Sequence, residues 1–444
     1  MVVLFPLPGK RLFRPCSPML IRLLLLALLA APLAPAAAYS VLTHQAVIDS
    51  TWERTLLPLL RHHYPGGTAA ELDEAKSYAY GGSILQDMGY YPLGSKLFTN
   101  LTHYVRAGDF VRNLLRLARN RNEHAFALGA LAHYAADIVG HPEGTNQIIP
   151  TMYPDLKARF GPVITYEQAT KRHTELEFSF DVVQVAAGRY RTQQYHKFIG
   201  FRVSKAVLER AFLATYGLEL GQVLPHVDAS VATFRFAVNQ LLPATARAAW
   251  QSQRQEIQRL SPRARRRDYL YKASPRGFRQ EFGQGYERPG FGARVMAAII
   301  GVLPKIGPLK TYAFKLPDAA GEAKFRASYR AAIARFSTLA RQQPADTARS
   351  LHLPDTNLDT GQPTRPNAYA LADQTYAELL RELHEHQFEH LSSALRQALL
   401  TFYANGVPAP TQETEHSAPK TERRAEKKRP ETEAALAALR ALPR

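Results

Sequence analysis

Residues 125–141 read AFALGALAHYAADIVGH, and this stretch decides the fold. Phe126, Leu128, Leu131 and Ala135 recur at helical spacing, which predicts a helix over Ala125–Val139. His133, Asp137 and His141 sit at i, i+4 and i+8. Each step of four residues moves the helix face by only about 40°, so all three project from one side if the helix continues to His141. Their neighbours Leu131, Ala132, Ala135 and Ile138 are apolar, which puts this polar stripe inside the protein. Buried polar groups need partners, and one metal ion can serve all three. The expectation is an all-α chain folded around a metal site.

The surrounding sequence supplies more ligand types. From Tyr39 to about Leu218 it reads as helices joined by loops, with Ala206–Tyr216 a second clear helix and no convincing run of alternating strands. His173-Thr-Glu-Leu-Glu177 again places a histidine and a carboxylate four apart, so one helical turn can offer both to one ion. Glu175 is out of phase and is expected to point elsewhere, as a solvated charge. Asp87 lies in a glycine- and tyrosine-rich loop over Ala79–Gly94, and His103 and His44 complete the set. Nitrogen and carboxylate donors together suit zinc better than calcium or magnesium.

The first 38 residues read as a processing segment. Lys10, Arg11, Arg14 and Arg22 precede an apolar run over Leu23–Leu33, and Ala36-Ala37-Ala38 follows. Charge, apolar stretch and small residues in this order predict a secretory signal peptide. Its removal makes Tyr39 the mature N-terminus, with His44 five residues on, and a freed amine is itself a nitrogen ligand. The only cysteine is Cys16, inside this leader, so the mature chain has neither a disulfide nor thiolate chemistry. The net charge is +18, of which the body keeps about +10, favouring anionic partners such as phospholipid surfaces or nucleic acid.

Beyond the first helices the signals thin out. Arg263, Arg265, Arg266 and Arg267 form a basic knot, and Val295–Leu303 is too short to span a membrane and reads as a buried helix. Residues 343–367 read as a Pro-rich connection, and Ala368–Tyr403 as a continuous helix ended by Asn405-Gly406. His384, His386 and His390 fall on its solvated face. The charged tail from Pro408 is expected to be disordered. The expected organisation is a signal peptide (1–38), a helical domain (39–260), a basic linker with helical extension (261–342), the connection and C-terminal helix (343–407), and the tail (408–444).

Taken in order, these motifs resemble the zinc-dependent phospholipase C family and its S1/P1-nuclease relatives: a histidine near the mature N-terminus, an aspartate in a glycine-aromatic loop, a histidine, His-x3-Asp with a further histidine, then His-x3-Glu. The resemblance covers about Tyr39–Glu177. It implies a multi-helix bundle enclosing a multinuclear site of up to three zinc ions. Asp87, His103 and His133 would hold one ion, with Asp137 bridging to another. His141, His173 and Glu177 would hold a second, and the Tyr39 amine and carbonyl with His44 and Asp137 the third. It also implies a phosphodiester hydrolase using a metal-activated water, with Asp87 as the suggested general base. Three features depart from the family. Tyr39 stands where tryptophan is usual, His141 follows Asp137 by four residues where six is usual, and the C-terminal half lacks a clear lipid-binding β-sandwich.

The first expectation is therefore a secreted or periplasmic phospholipase C acting on phospholipid at a membrane surface, with no obligate protein partner evident. A single-strand nuclease and a catalytically silent zinc-binding envelope protein are the alternatives. The leader yields a direct prediction. Mass spectrometry of exported protein should find Tyr39 at the N-terminus, and a variant retaining a methionine before Tyr39 should bind less zinc.

Overall fold

A computed structural model describes residues 39–90, 93–186, 201–236, 315–342, 351–409 and 419–443, with isolated residues between 250 and 266. The leader, Arg263 and Arg267 of the basic knot, and Val295–Leu303 lie outside the described residues. Helix α1 (Val41–Thr51) passes through a wide turn at Trp52–Leu56 into α2 (Leu57–His63). Then come α3 (Ala69–Ser83), a tight turn at Gln86–Tyr90, α4 (Lys96–Tyr104), α5 (Ala107–Leu117) and α6 (Arg121–Gly140). A second wide turn, His141–Thr145, leads to α7 (Asn146–Met152), α8 (Pro154–Phe160) and α9 (Thr170–Ala186). The chain continues with α10 (Lys205–Tyr216), α11 (Leu220–Val223) and α12 (Val227–Phe236). After the next gap come α13 (Ala319–Arg341), α14 (Ala370–Glu385), α15 (Ser393–Phe402) and α16 (Pro419–Ala441). Among the described residues there is no strand, only an isolated bridge between Thr356 and Pro363. The all-α expectation holds.

Helix α6 is the centre of the bundle. Every residue from Glu123 to Asp137 is buried. Alanines fill much of it, so partners can approach from all sides, and α3 and α13 pack along it. Asn120 caps its start by accepting from Glu123 N, a cap worth about 1 kcal/mol. The α3–α6 contact is closer still, because two glycines meet backbone there. A methyl group on Gly129 would lie 2.1 Å from the Ala79 carbonyl oxygen, and one on Gly82 would lie 1.9 Å from that of Phe126. At the far end Pro142 has no N–H to continue the ladder, and the wide turn begins at His141.

Residues 351–369, in the expected connection, contain no helix and lie as a strap against the bundle. Tyr134 Oη donates to Pro354 O (2.8 Å), Leu358 N to His103 O (3.1 Å) and Asn146 Nδ2 to Asp359 O (2.8 Å). Leu351, Leu353 and Leu358 are buried beneath it. The strap thus lies against α4, α6 and α7, where the site forms.

Two C-terminal expectations are corrected. The helix expected over Ala368–Tyr403 breaks after Glu385, where Gln387 and Phe388 turn left-handed, Phe388 becomes buried, and Ser392 caps a new start. The tail expected to be disordered carries α16, which packs on α14 through Ala435, Leu436 and Leu439. Its high charge concealed this short apolar stripe. His384 and His390 are exposed, as expected.

The glycine contact gives a prediction. Gly129→Ala should destabilise the fold by about 1–3 kcal/mol, the usual range for overpacking. Thermal denaturation of the full chain measures it, and Gly221→Ala, where open space surrounds the added methyl, is the control.

Candidate metal centre

The site is assembled from helix ends. His133 projects from α6 toward the last residue of α3, and its Nδ1–H donates to the Ser83 carbonyl at 2.9 Å. The final carbonyls of a helix have no partner within it, so this bond serves both groups. His103, in the last turn of α4, likewise donates Nδ1–H to Thr99 O at 2.8 Å. Each ring therefore turns Nε2 inward, toward Asp137. Asp87 comes from the Gln86–Tyr90 turn, which is held by Gln86 Nε2 to Ala130 O (3.2 Å) and Thr99 Oγ1 to Gln86 O (2.8 Å). His44, on α1, stacks on His133 with ring centroids 4.1 Å apart. The start of α1 is fastened by Asp181 of α9, whose carboxylate accepts from Leu42 N and Thr43 N at 3.0 Å each.

These groups are spaced for ion binding. A tetrahedral ion with donors about 2.1 Å away sets neighbouring donor atoms about 3.4 Å apart. His103 Nε2 lies 3.4 Å from His133 Nε2 and 3.5 Å from Asp87 Oδ1. Asp137 Oδ2 lies 3.0 Å from His133 Nε2 and 3.6 Å from His103 Nε2. Its other oxygen, Oδ1, lies 3.5 Å from His44 Nε2. Asp137 thus faces two sets of donors, one with each oxygen. No hydrogen bond satisfies either Asp137 oxygen, either Asp87 oxygen or either His44 nitrogen, although all are buried. Orphaned donors at ion-binding spacing are what a zinc site requires, so the residues fit the metal.

A second group forms where α6 gives way to the wide turn. His141, His173 and Glu177 bring one donor each within 4.8 Å of one another, as do the sets His44–His133–Asp137 and Asp87–His103–His133. The expected single stripe on α6 therefore divides: His133 and Asp137 fall in the first groups, and His141 falls in this one. On α9, His173 Nε2 donates to Ile164 O at 2.8 Å, leaving Nδ1 toward Glu177 Oε1 at 3.6 Å. Glu175 does point elsewhere, but it is buried and pairs with Arg172 (2.9 Å) and Lys171 (3.8 Å) instead of meeting water. Tyr39 is buried beside His44, its ring 5.9 Å away and its hydroxyl 2.9 Å from Ser328 Oγ of α13.

Sequence reasoning missed one buried acid here. Asp359, in the strap, puts Oδ1 3.1 Å from His141 Nδ1. The local signal was turn chemistry, Asn357-Leu-Asp359-Thr-Gly361, which gives no hint of a partner more than two hundred residues away.

The electrostatics are those of a crowded, dry cluster. Burial holds His44 well below the usual histidine range, helped by neighbouring His133. Burial likewise lowers His141 and His173 to about 3, which keeps them neutral, the form that ligates metals. Burial also opposes charge on His103, but Asp137 and Asp87 outweigh it and push His103 up to about 10. Asp137 is held well below the carboxylate range: burial alone would raise it, but His133, His103 and His44 prevail. Burial raises Glu177 and Asp87.

An all-helical bundle around clustered histidines and carboxylates defines a class, helical proteins with candidate multi-ligand metal sites. The comparison with known families narrows it: residues 43–224 match the family described as zinc dependent phospholipase C. The match implies a zinc-dependent, phospholipase C-like hydrolase of phosphodiester bonds. No curated protein and no solved structure matches the chain.

Proton and ion compete for the same nitrogen of His103, which gives a pH prediction. With its pKa at about 10, His103 carries a proton at pH 8 that zinc must displace. Apparent zinc affinity should therefore rise with pH and level off above about 10. Calorimetry in buffers of different ionisation enthalpy should show proton release at pH 8, and His103→Gln should reduce it.

Proposed function

We propose that the chain is an exported phospholipase C that cleaves the phosphodiester between diacylglycerol and a phosphorylated head group. The observation that carries this reading is the divided Asp137 carboxylate, 3.0 Å from His133 on one side and 3.5 Å from His44 on the other. In this reading Asp137 would help to hold two ions, one with each oxygen. Asp87, His103 and His133 complete one set, and His44 with the Tyr39 amine and carbonyl the other. His141, His173 and Glu177 hold a third ion. Zinc supplies, when bound, a water acidified to near neutral pKa and positive charge opposite the phosphate oxygens.

The chain's own residues do the rest. Nδ1 bonds to Ser83 O and Thr99 O fix the rings of His133 and His103, so the donors need no rearrangement as charge builds on phosphate. Asp87 places Oδ1 3.5 Å from His103 and Oδ2 4.0 Å from His44, and from between them it would orient the attacking water and accept its proton. Export follows from the expected leader at 1–38, and no described helix is long and apolar enough to cross a membrane.

The net charge of +18 favours the nuclease as a second reading, whereas a mature chain without cysteine lacks the disulfides typical of those enzymes. Zinc-loaded protein should hydrolyse phosphatidylcholine vesicles and leave single-stranded DNA intact. The reverse result would establish the nuclease, and turnover of neither would point to the silent binding protein. Asp137→Asn should lower kcat by at least a hundredfold and remove more than one zinc equivalent by metal analysis. Wild-type zinc content in that variant would refute the bridge.

A further inference from the structure

We propose that Asp359 is the carboxylate that positions His141 for its ion, so that the C-terminal part of the chain completes a metal site whose ligands come from the matched segment. The inference rests on the reading that His141, His173 and Glu177 share an ion. Three other histidines of the centre are each tied through one ring nitrogen, directing the other at the acids of the centre: His103 to Thr99 O, His133 to Ser83 O and His173 to Ile164 O. His141 has no such carbonyl. Its Nδ1 is buried, makes no hydrogen bond, and faces Asp359 Oδ1 at 3.1 Å. That oxygen is also buried and without a hydrogen bond. The pair is within hydrogen-bond distance, so a proton on Nδ1 can be shared with this oxygen. Nε2 is then the nitrogen left to ligate.

Asp359 is built to stay in place. Its Oδ2 accepts from Tyr166 N (2.9 Å) and Tyr369 Oη (2.8 Å), which leaves Oδ1 toward His141. Asn357 Oδ1 accepts from Asp359 N at 3.0 Å, and Asn146 donates to its carbonyl. The strap can approach this closely because Gly361 is left-handed, at φ 68°, where an added methyl would meet the Ile138 carbonyl at 2.8 Å. Pro142 has no N–H to offer that carbonyl, so the turn that presents His141 also receives the strap. Carboxylates behind ligating histidines fix the tautomer, and their removal typically weakens metal binding 10–100-fold.

The test uses the full chain, loaded with zinc and titrated against a chromophoric chelator. Asp359→Asn should weaken one zinc equivalent 10–100-fold and leave the others unchanged. Tyr369→Phe removes a bond to Oδ2 but spares Oδ1, so it should lower the melting temperature without changing zinc affinity. An equal loss of affinity in both variants would reduce Asp359 to a fastener of the strap and overturn the inference. Nitrogen-15 spectra of the wild-type histidines are independent of any variant: His141 should carry its proton on Nδ1 and the ion on Nε2, and the opposite assignment would overturn it. His173→Gln tests the underlying reading, since it should lose that whole equivalent. Full zinc in His173→Gln would mean the site itself is absent. A loss there beside wild-type affinity in Asp359→Asn would refute only the role of Asp359.

Discussion

Asp137 is a fully buried carboxylate on a helix that has almost no exposed surface, and the rest of the structure depends on how that charge is matched. An ionised carboxylate in a dry interior costs several kcal/mol unless opposite charge or donors surround it. Hydrophobic packing cannot satisfy it, and a lone helix cannot either. The fold responds by bringing α1, α4 and the Gln86–Tyr90 turn to one stretch of α6, each delivering a side chain of ligand type. Histidines and carboxylates pressed together without water are mutually frustrated: some are driven neutral, others forced to keep charge. A divalent cation relieves that frustration, which is why the family's dependence on zinc and the geometry of the cluster agree.

The precision of the cluster comes from ordinary backbone groups. Backbone carbonyls near helix ends and in loops hold the backs of the histidine rings. Ser83, Thr99 and Ile164 have no chemistry of their own in the site, yet they decide which ring nitrogen faces inward. Close packing of α3 on α6 through Gly82 and Gly129 sets where Ser83 lies, so helix packing and ligand geometry are one constraint. The strap extends the same logic, since its backbone is bonded to His103 O while its side chains reach the second group.

The departures from sequence expectation have a common cause. Residues 343–367 read as a connection because prolines and polar residues preclude a helix, and their partners on α4, α6 and α7 are invisible to local pattern. The tail from Pro408 reads as disordered because charge dominates its composition, but three apolar side chains suffice once α14 offers a surface. Glu175 reads as solvated from its phase alone, whereas Lys171 and Arg172 beside it allow burial.

Helical periodicity and the His-x3-Asp and His-x3-Glu spacings were legible because both members of each pair ride on one turn, a geometry that local chain stereochemistry sets. The chain alone thereby determined an all-helical fold, the ligand types, and which residues could share a helix face. Tertiary structure decided which of these side chains meet: that Asp137 divides between His133 and His44, that His141 parts from them at the wide turn, and that Asp359 lies beside it. Those choices depend on how helices far apart in sequence pack, and no residue spacing encodes a contact that loop closure and core packing must create.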